Sequence, residues 1–127
     1  MAAKILVVDD DPFIVTLLRE FLTAKHHEVL EADDGAQAFV LAEKEMPHLI
    51  ILDIVMPGLY GSAAAKKLHE YWRTSKIPII IFSAYSDELV QPLMKENPKI
   101  RFLKKPLDPK ALDRLIEELL PAGGYSP

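Results

Sequence analysis

The hydrophobic positions fall into five short runs, at residues 5–8, 28–32, 49–52, 77–82 and 100–103, separated by longer stretches of mixed character. Three runs, including Leu49-Ile50-Ile51-Leu52 and Ile79-Ile80-Ile81-Phe82, are unbroken and rich in branched aliphatics. Continuous apolar strands of this kind suit a parallel sheet covered on both faces. The run at 28–32 is weaker. Between the runs, Ile14, Leu17, Leu18, Phe21 and Leu22 recur on one helical face, as do Leu112, Leu115, Ile116 and Leu119. Asp11-Pro12 and Asp108-Pro109 each read as an N-cap followed by proline in the first turn. Further helices are predicted over about 35–45 and 61–72.

The fourth helix is predicted to be the least regular element. Ser86 is a candidate cap, with Asp87 and Glu88 favourable in the first turn. Pro92 falls some residues later, where it removes a hydrogen bond and crowds the preceding turn. The helix therefore either begins near Pro92 or is kinked and short, and Pro98 closes it. Strict strand–helix alternation predicts an α/β fold with right-handed crossovers and helices on both faces.

Composition narrows the classes. The chain has 127 residues, half of them apolar, enough for one domain with a single core. A net charge of −4 gives no basic footprint, so direct nucleic-acid binding is not expected. With no cysteine, disulfides and thiolate chemistry are excluded, and a cytoplasmic setting is expected. No apolar run approaches the roughly 20 residues that span a bilayer, and no signal-peptide layout opens the chain, so no membrane association is expected. Residues 121–127, with Gly123-Gly124, read as a flexible tail or linker stub after a domain at 1–120.

In a doubly wound sheet, chemistry gathers beyond the carboxyl ends of the strands. Here those ends carry Asp9-Asp10-Asp11, Asp53, Ser83-Ala84 and Lys104-Lys105-Pro106. Carboxylates crowded into one pocket repel each other unless a cation is present. Mg²⁺ suits such a site, since it takes oxygen ligands at about 2.1 Å, a few from protein and the rest from water and phosphate. A lysine adds a fixed positive charge. The set describes a place for a phosphoryl group on a carboxylate nucleophile. Taken singly, each acid is more often a cap or a turn residue; their joint placement at successive strand ends makes the case.

The segments Val7-Val8-Asp9-Asp10-Asp11-Pro12, Leu52-Asp53-Ile54-Val55-Met56-Pro57-Gly58 with Gly61 beyond it, Ser83-Ala84 and Lys105-Pro106 resemble the receiver domains of two-component response regulators. The match runs from about Lys4 to Leu120. It implies a flavodoxin-like (βα)5 doubly wound parallel sheet of five strands in the order 2-1-3-4-5. It further implies that Asp53 accepts a phosphoryl group from a sensor histidine kinase or histidine phosphotransfer protein. Asp10 corresponds to a direct Mg²⁺ ligand and Asp9 to the residue ordering metal-bound water, with Asp53 and the Val55 backbone carbonyl completing the protein's share. Lys105 and Ser83 pair with phosphoryl oxygens. Ser83 and Phe102 form the switch that reshapes the face of the fourth helix, fifth strand and fifth helix for a downstream output. A cis Lys105–Pro106 bond is frequent in the family, and an X–Pro bond is the chemically reasonable place for one. The resemblance implies no enzyme in the ordinary sense, only Mg²⁺-dependent self-phosphorylation from phosphodonors and self-dephosphorylation. Oligomeric state stays open.

The sequence departs from the family pattern in places. Ser83 stands where threonine is frequent, and Phe102 replaces a common tyrosine. Lys95-Glu96-Asn97-Pro98-Lys99 replaces a small-residue turn, so the regulatory face is expected to be atypical. Val55 and Tyr85, each two residues beyond a key position, cannot orient an attacking water, which predicts slow self-dephosphorylation. A haloacid-dehalogenase-like phosphohydrolase needs an acid where Val55 stands. A flavodoxin needs a neutral phosphate loop where the three aspartates lie, and neither P-loop nor Rossmann glycines occur. The remaining alternative is a pseudo-receiver acting only as an interaction module. His26 and His27 are expected to favour a helix terminus as cations. His48 and His69 lack paired ligand spacing, Tyr71 and Trp72 are expected in helix packing, and Lys66-Lys67 on a solvated face.

Overall fold

The computed structural model describes residues 2–54, 61–84 and 91–120. Five strands and five helices alternate: β1 (Lys4–Val8), α1 (Pro12–Ala24), β2 (Glu28–Ala32), α2 (Gly35–Glu45), β3 (Leu49–Leu52), α3 (Gly61–Glu70), β4 (Ile79–Ser83), α4 (Gln91–Glu96), β5 (Ile100–Lys104) and α5 (Pro109–Leu119). The strands form one parallel sheet in the order β2-β1-β3-β4-β5. This is the expected doubly wound, flavodoxin-like arrangement.

Period-two alternation divides the core between the two faces. Leu6, Val8, Ile50, Leu52, Ile79 and Ile81 point to one side, where Ala38 and Ala42 of α2, Ala64, Ala65 and Leu68 of α3, and Leu93 of α4 cover them. Ile5, Val7, Leu49, Ile51, Ile80 and Phe82 point to the other, against Val15, Leu18 and Leu22 of α1 and Leu112 and Ile116 of α5. The alanines on α2 and α3 let those helices approach the sheet closely. Both faces are dry, which explains why the central runs read as unbroken hydrophobe.

Helix starts obey the expected chemistry. Asp11 accepts a hydrogen bond from Phe13 N, and Asp108 from Lys110 N and Ala111 N, each ahead of a first-turn proline. Asp34 caps α2 through Gln37 N, while the Gln37 side chain returns to Asp33 N at 2.8 Å. That reciprocal pair resembles a capping box, and its Asp-x-x-Gln signature is visible in the sequence. The described part of α4 runs from Gln91 to Glu96 and includes Pro92. Ser86, Asp87 and Glu88 lie outside the described residues.

Two local expectations are corrected. First, α3 ends at Glu70, two residues early, because the chain turns there: the Thr74 hydroxyl, fully buried, donates to Leu68 O at 2.6 Å and Thr74 N donates to Tyr71 O. Tyr71 still packs, with its ring 5.4 Å from that of Phe39, but Trp72 is 76% exposed instead of packed. Second, His27 does not stabilise the end of α1 as a cation. Its Nδ1 accepts from Ala3 N at 3.0 Å, and burial, the largest effect on it, lowers its pKa. His26 serves the terminus by backbone instead, in the left-handed region at φ 70°, while His27 N reaches back to Leu22 O.

Candidate functional site

The parallel register carries the acidic residues to one edge. Val8 pairs with Leu52 across β1 and β3, and the ladder continues one step beyond, Asp53 N donating to Val8 O at 3.0 Å and Asp9 N to Ala32 O at 3.2 Å. On the far side Ser83 pairs with Lys104, and Lys105 N donates to Ser83 O at 2.8 Å. Asp9, Asp53, Ser83 and Lys105 are therefore fixed by sheet hydrogen bonds just where the strands end, over a core that cannot yield.

Oxygen atoms of Asp9, Asp10 and Asp53 lie within 4.8 Å of one another. Lys105 Nζ sits 2.8 Å from Asp9 Oδ2 and 3.2 Å from Asp53 Oδ2, bridging the two carboxylates. The environment is graded. Asp9 is only 3% exposed, Asp53 retains a little access at 10% of its side chain, and Asp10 is exposed at the rim. Asp9 Oδ1 also accepts from Asp11 N at 2.9 Å, which fixes the carboxylate's orientation and starts the turn into α1.

Burial raises the pKa of Asp9, because desolvation penalises its charge more than the Lys105 and Asp11 hydrogen bonds relieve it. Burial works against the Lys105 ammonium too, but the Asp9 hydrogen bond and the charge of Asp53 outweigh it and hold its pKa above the ordinary lysine value. Lys105 is thus a permanent cation. It balances one of two covered negative charges, with exposed Asp10 adding a third. The residual negative charge and the all-oxygen donor set fit a hard divalent cation such as Mg²⁺.

Ser83 is fully buried at the end of β4, and Phe102 on β5 is half-buried against the helix face formed by α2, α3 and α4. The Lys105–Pro106 peptide is cis. Val55 and Tyr85 lie outside the described residues. Of the sequence-predicted set, Asp9, Asp10, Asp53, Ser83 and Lys105 converge on one edge, and Phe102 stands one layer below.

Sequence reasoning missed the cleft beside this cluster, about 510 Å³, where Asp9 and Asp10 meet Thr16 and Arg19 of α1 and Glu31 of β2. Arg19 and Glu31 form an ion pair across it. An arginine and a glutamate twelve positions apart give no local signal. The segment 95–99 also does more than its sequence suggests. Asn97 is buried, its Oδ1 accepts from Lys99 N at 2.9 Å, and its amide nitrogen lies 3.0 Å from His69 Nδ1, tying α3 to the start of β5.

Comparison with known proteins agrees with this geometry. The family described as "Response regulator receiver domain" matches residues 5–117. Protein PilH of Pseudomonas aeruginosa is 36% identical over 118 residues, covering 93% of this chain and 98% of that protein. Response regulator PleD of Caulobacter vibrioides is 37% identical over 121 residues, but the matched part is 94% of this chain and only 26% of PleD. The chemotaxis protein CheY4 of Vibrio cholerae superposes with a TM-score of 0.84 at 27% identity, covering 94% of this chain and all of CheY4. Among the described residues no helix is long and apolar enough to cross a membrane. The chain belongs to the response regulator receiver domain family.

Proposed function

We propose that this chain is a working phosphorylation switch in which Asp53 is the phosphoacceptor. The observation that carries the reading is the Lys105 ammonium held between Asp9 and Asp53, beside a third carboxylate on Asp10. A pseudo-receiver has no need to keep that costly arrangement of covered charge.

In the proposed reaction an Asp53 carboxylate oxygen attacks the phosphorus of a phosphohistidine on a sensor kinase or phosphotransfer protein. A P–O bond forms, the donor's P–N bond breaks, and the imidazole nitrogen leaves with the electron pair. Lys105 neutralises charge on the phosphoryl oxygens, and the buried Ser83 hydroxyl offers a hydrogen bond to one of them. Asp9, Asp10, Asp53 and the Val55 carbonyl would hold Mg²⁺, which supplies charge neutralisation at the transferring phosphoryl group. Once formed, the aspartyl phosphate adds charge and acceptor oxygens at the end of β4. Ser83 moves towards them and Phe102 takes the vacated room, shifting the population of packings on the α4–β5–α5 face that an output protein or domain reads.

The domain is taken as residues 1–120, with 121–127 a tail or linker stub, acting in the cytoplasm without ordinary enzymatic turnover. The decisive experiment incubates wild type and Asp53→Asn with Mg²⁺ and either acetyl phosphate or beryllofluoride. Wild type takes up one phosphoryl equivalent from acetyl phosphate, or binds one equivalent of the beryllofluoride mimic, and the variant does neither. Absence of uptake by wild type establishes the pseudo-receiver instead, and undiminished uptake by the variant places the acceptor elsewhere.

A further inference from the structure

The pole opposite the acid cluster carries a second concave surface with the opposite charge. It lies at the amino ends of β3, β4 and β5, and encloses about 440 Å³. Met46, Ile77 and Leu120 contribute an apolar floor, and Trp72 stands at its edge. Two of the four exposed large hydrophobic residues of the described chain, Trp72 and Met46, are found here. Met46 occupies the left-handed C-cap of α2 at φ 48°, a position where glycine is the easier residue.

The charged lining is wholly cationic. Arg73, Lys76 and Lys99 line the groove, all exposed, and no aspartate or glutamate does. Among the described residues none of these three forms an ion pair with a carboxylate. Lys99 Nζ rests on Lys76 O at 3.4 Å and Arg73 on Glu43 O at 3.3 Å, backbone contacts that position the cations without neutralising them. On a chain of net charge −4, unneutralised cations around an apolar floor are a local inversion of the surface.

We propose that this groove docks an acidic peptide segment of a partner protein, one that presents an apolar side chain flanked by aspartate or glutamate. The charge complementarity selects the anion, and the apolar floor with Trp72 selects an aliphatic or aromatic anchor in place of a bare phosphate. A nucleic acid satisfies the cations but leaves the floor uncovered. The site is independent of the phosphoacceptor pocket, which lies at the other ends of the strands.

Trp72 is the only tryptophan in the chain, so its fluorescence reports on the groove directly. The intact protein is titrated with the synthetic peptide Asp-Glu-Asp-Leu-Phe-Asp-Glu-Leu-Asp-Glu, with a version carrying serine for leucine and phenylalanine, and with a version carrying lysine for every acid. The acidic-apolar peptide shifts Trp72 emission saturably, the serine version binds more weakly, and the lysine version does not bind. Lys76→Glu with Lys99→Glu, both at exposed positions, weakens binding roughly tenfold, as does raising NaCl from about 50 to about 500 mM. Circular dichroism confirms that the variant is folded, and Arg73→Gln provides a second test of the rim. The proposal is overturned by the absence of a saturable shift, by equal response to the lysine peptide, or by binding that survives the charge reversal. Stronger binding of duplex DNA than of the peptide assigns the groove to polyanions instead. Sedimentation showing that the free protein self-associates through the two lysines assigns it to a second copy.

Discussion

Lys105→Met removes the ammonium that bridges Asp9 and Asp53 while keeping an unbranched stem of similar reach. At 2.8 Å the gross attraction to Asp9 alone is about 6 kcal/mol at an effective dielectric of about 20, most of which offsets desolvation. The substitution exposes the penalty of leaving two covered carboxylates without the ammonium they share. Breaking a buried pair from one side typically costs about 3–5 kcal/mol. Lys105 keeps 16% side-chain exposure and Asp53 10%, so water reaches part of the site and the lower end applies, about 3 kcal/mol. For a domain of this size that corresponds to a fall in Tm of roughly 10 °C.

The assay is urea unfolding monitored by circular dichroism at neutral pH, with chelator present so that no divalent ion substitutes for the ammonium. Asp53→Asn added to Lys105→Met is expected to recover about 1 kcal/mol or more, because it removes one member of a repelling pair. Mg²⁺ at ten times its Kd stabilises any binding form by about 1.4 kcal/mol. Its effect should be larger in Lys105→Met, where the cation alone balances the carboxylates. A Lys105→Met protein within about 0.5 kcal/mol of wild type, or one destabilised further by Asp53→Asn, refutes the electrostatic account of the pocket.

Other consequences are simpler to test. Because burial lowers the pKa of His27 below its ordinary value of 6.5, the unfolded chain takes up the proton first; the stability that neutral His27 contributes is complete above that value and is lost as pH falls below it. His27→Gln, which still accepts from Ala3 N, should flatten the decline of urea stability between about pH 7 and 5. Asn97→Ala leaves Lys99 N and His69 Nδ1 without their side-chain partner and should cost about 2 kcal/mol in the same assay, with no change in circular dichroism. Asp108→Ala should cost about 1 kcal/mol through loss of the α5 cap. Val55→Asn with Tyr85→Glu should shorten the lifetime of the phosphorylated form after donor removal; an unchanged or longer lifetime contradicts the role assigned to those positions.

The sheet is legible in the sequence because its physics is local. A run such as Leu49-Ile50-Ile51-Leu52 has no solvent-facing side chain to hide, and observed β3 coincides with it. Even the weak run at Glu28–Ala32 is a strand, although at the edge of the sheet it shows only partial burial. The Asp-Pro starts of α1 and α5 are legible for the same reason, each being a complete cap within a few residues. The end of α3 is not, since it depends on the Thr74 hydroxyl reaching back to Leu68 O. His27 misleads because its partner, Ala3 N, lies twenty-four positions away.

The two poles arise from one property of a parallel sheet. Every strand runs the same way, so residues just past the strands gather at one edge and residues just ahead of them gather at the other. Asp9, Asp53 and Lys105 come after β1, β3 and β5, whereas His48, Pro78 and Lys99 come before β3, β4 and β5. The first set is readable because its chemistry is written in adjacent positions at each strand end. The second gives no such signal: Met46, Trp72, Lys76 and Leu120 come from different segments, and only folding gathers them. His48 illustrates the difference. In the sequence it is a lone histidine before a strand, whereas in the fold its Nδ1 accepts from Lys4 N at 2.9 Å, beside the matching bond of His27 to Ala3 N. Two imidazoles thus pin consecutive amides where β1 begins, so the sheet is anchored at the pole away from the charged pocket. At the carboxyl edge the balance is electrostatic instead, with the carboxylates of Asp9, Asp10 and Asp53 gathered around the Lys105 ammonium.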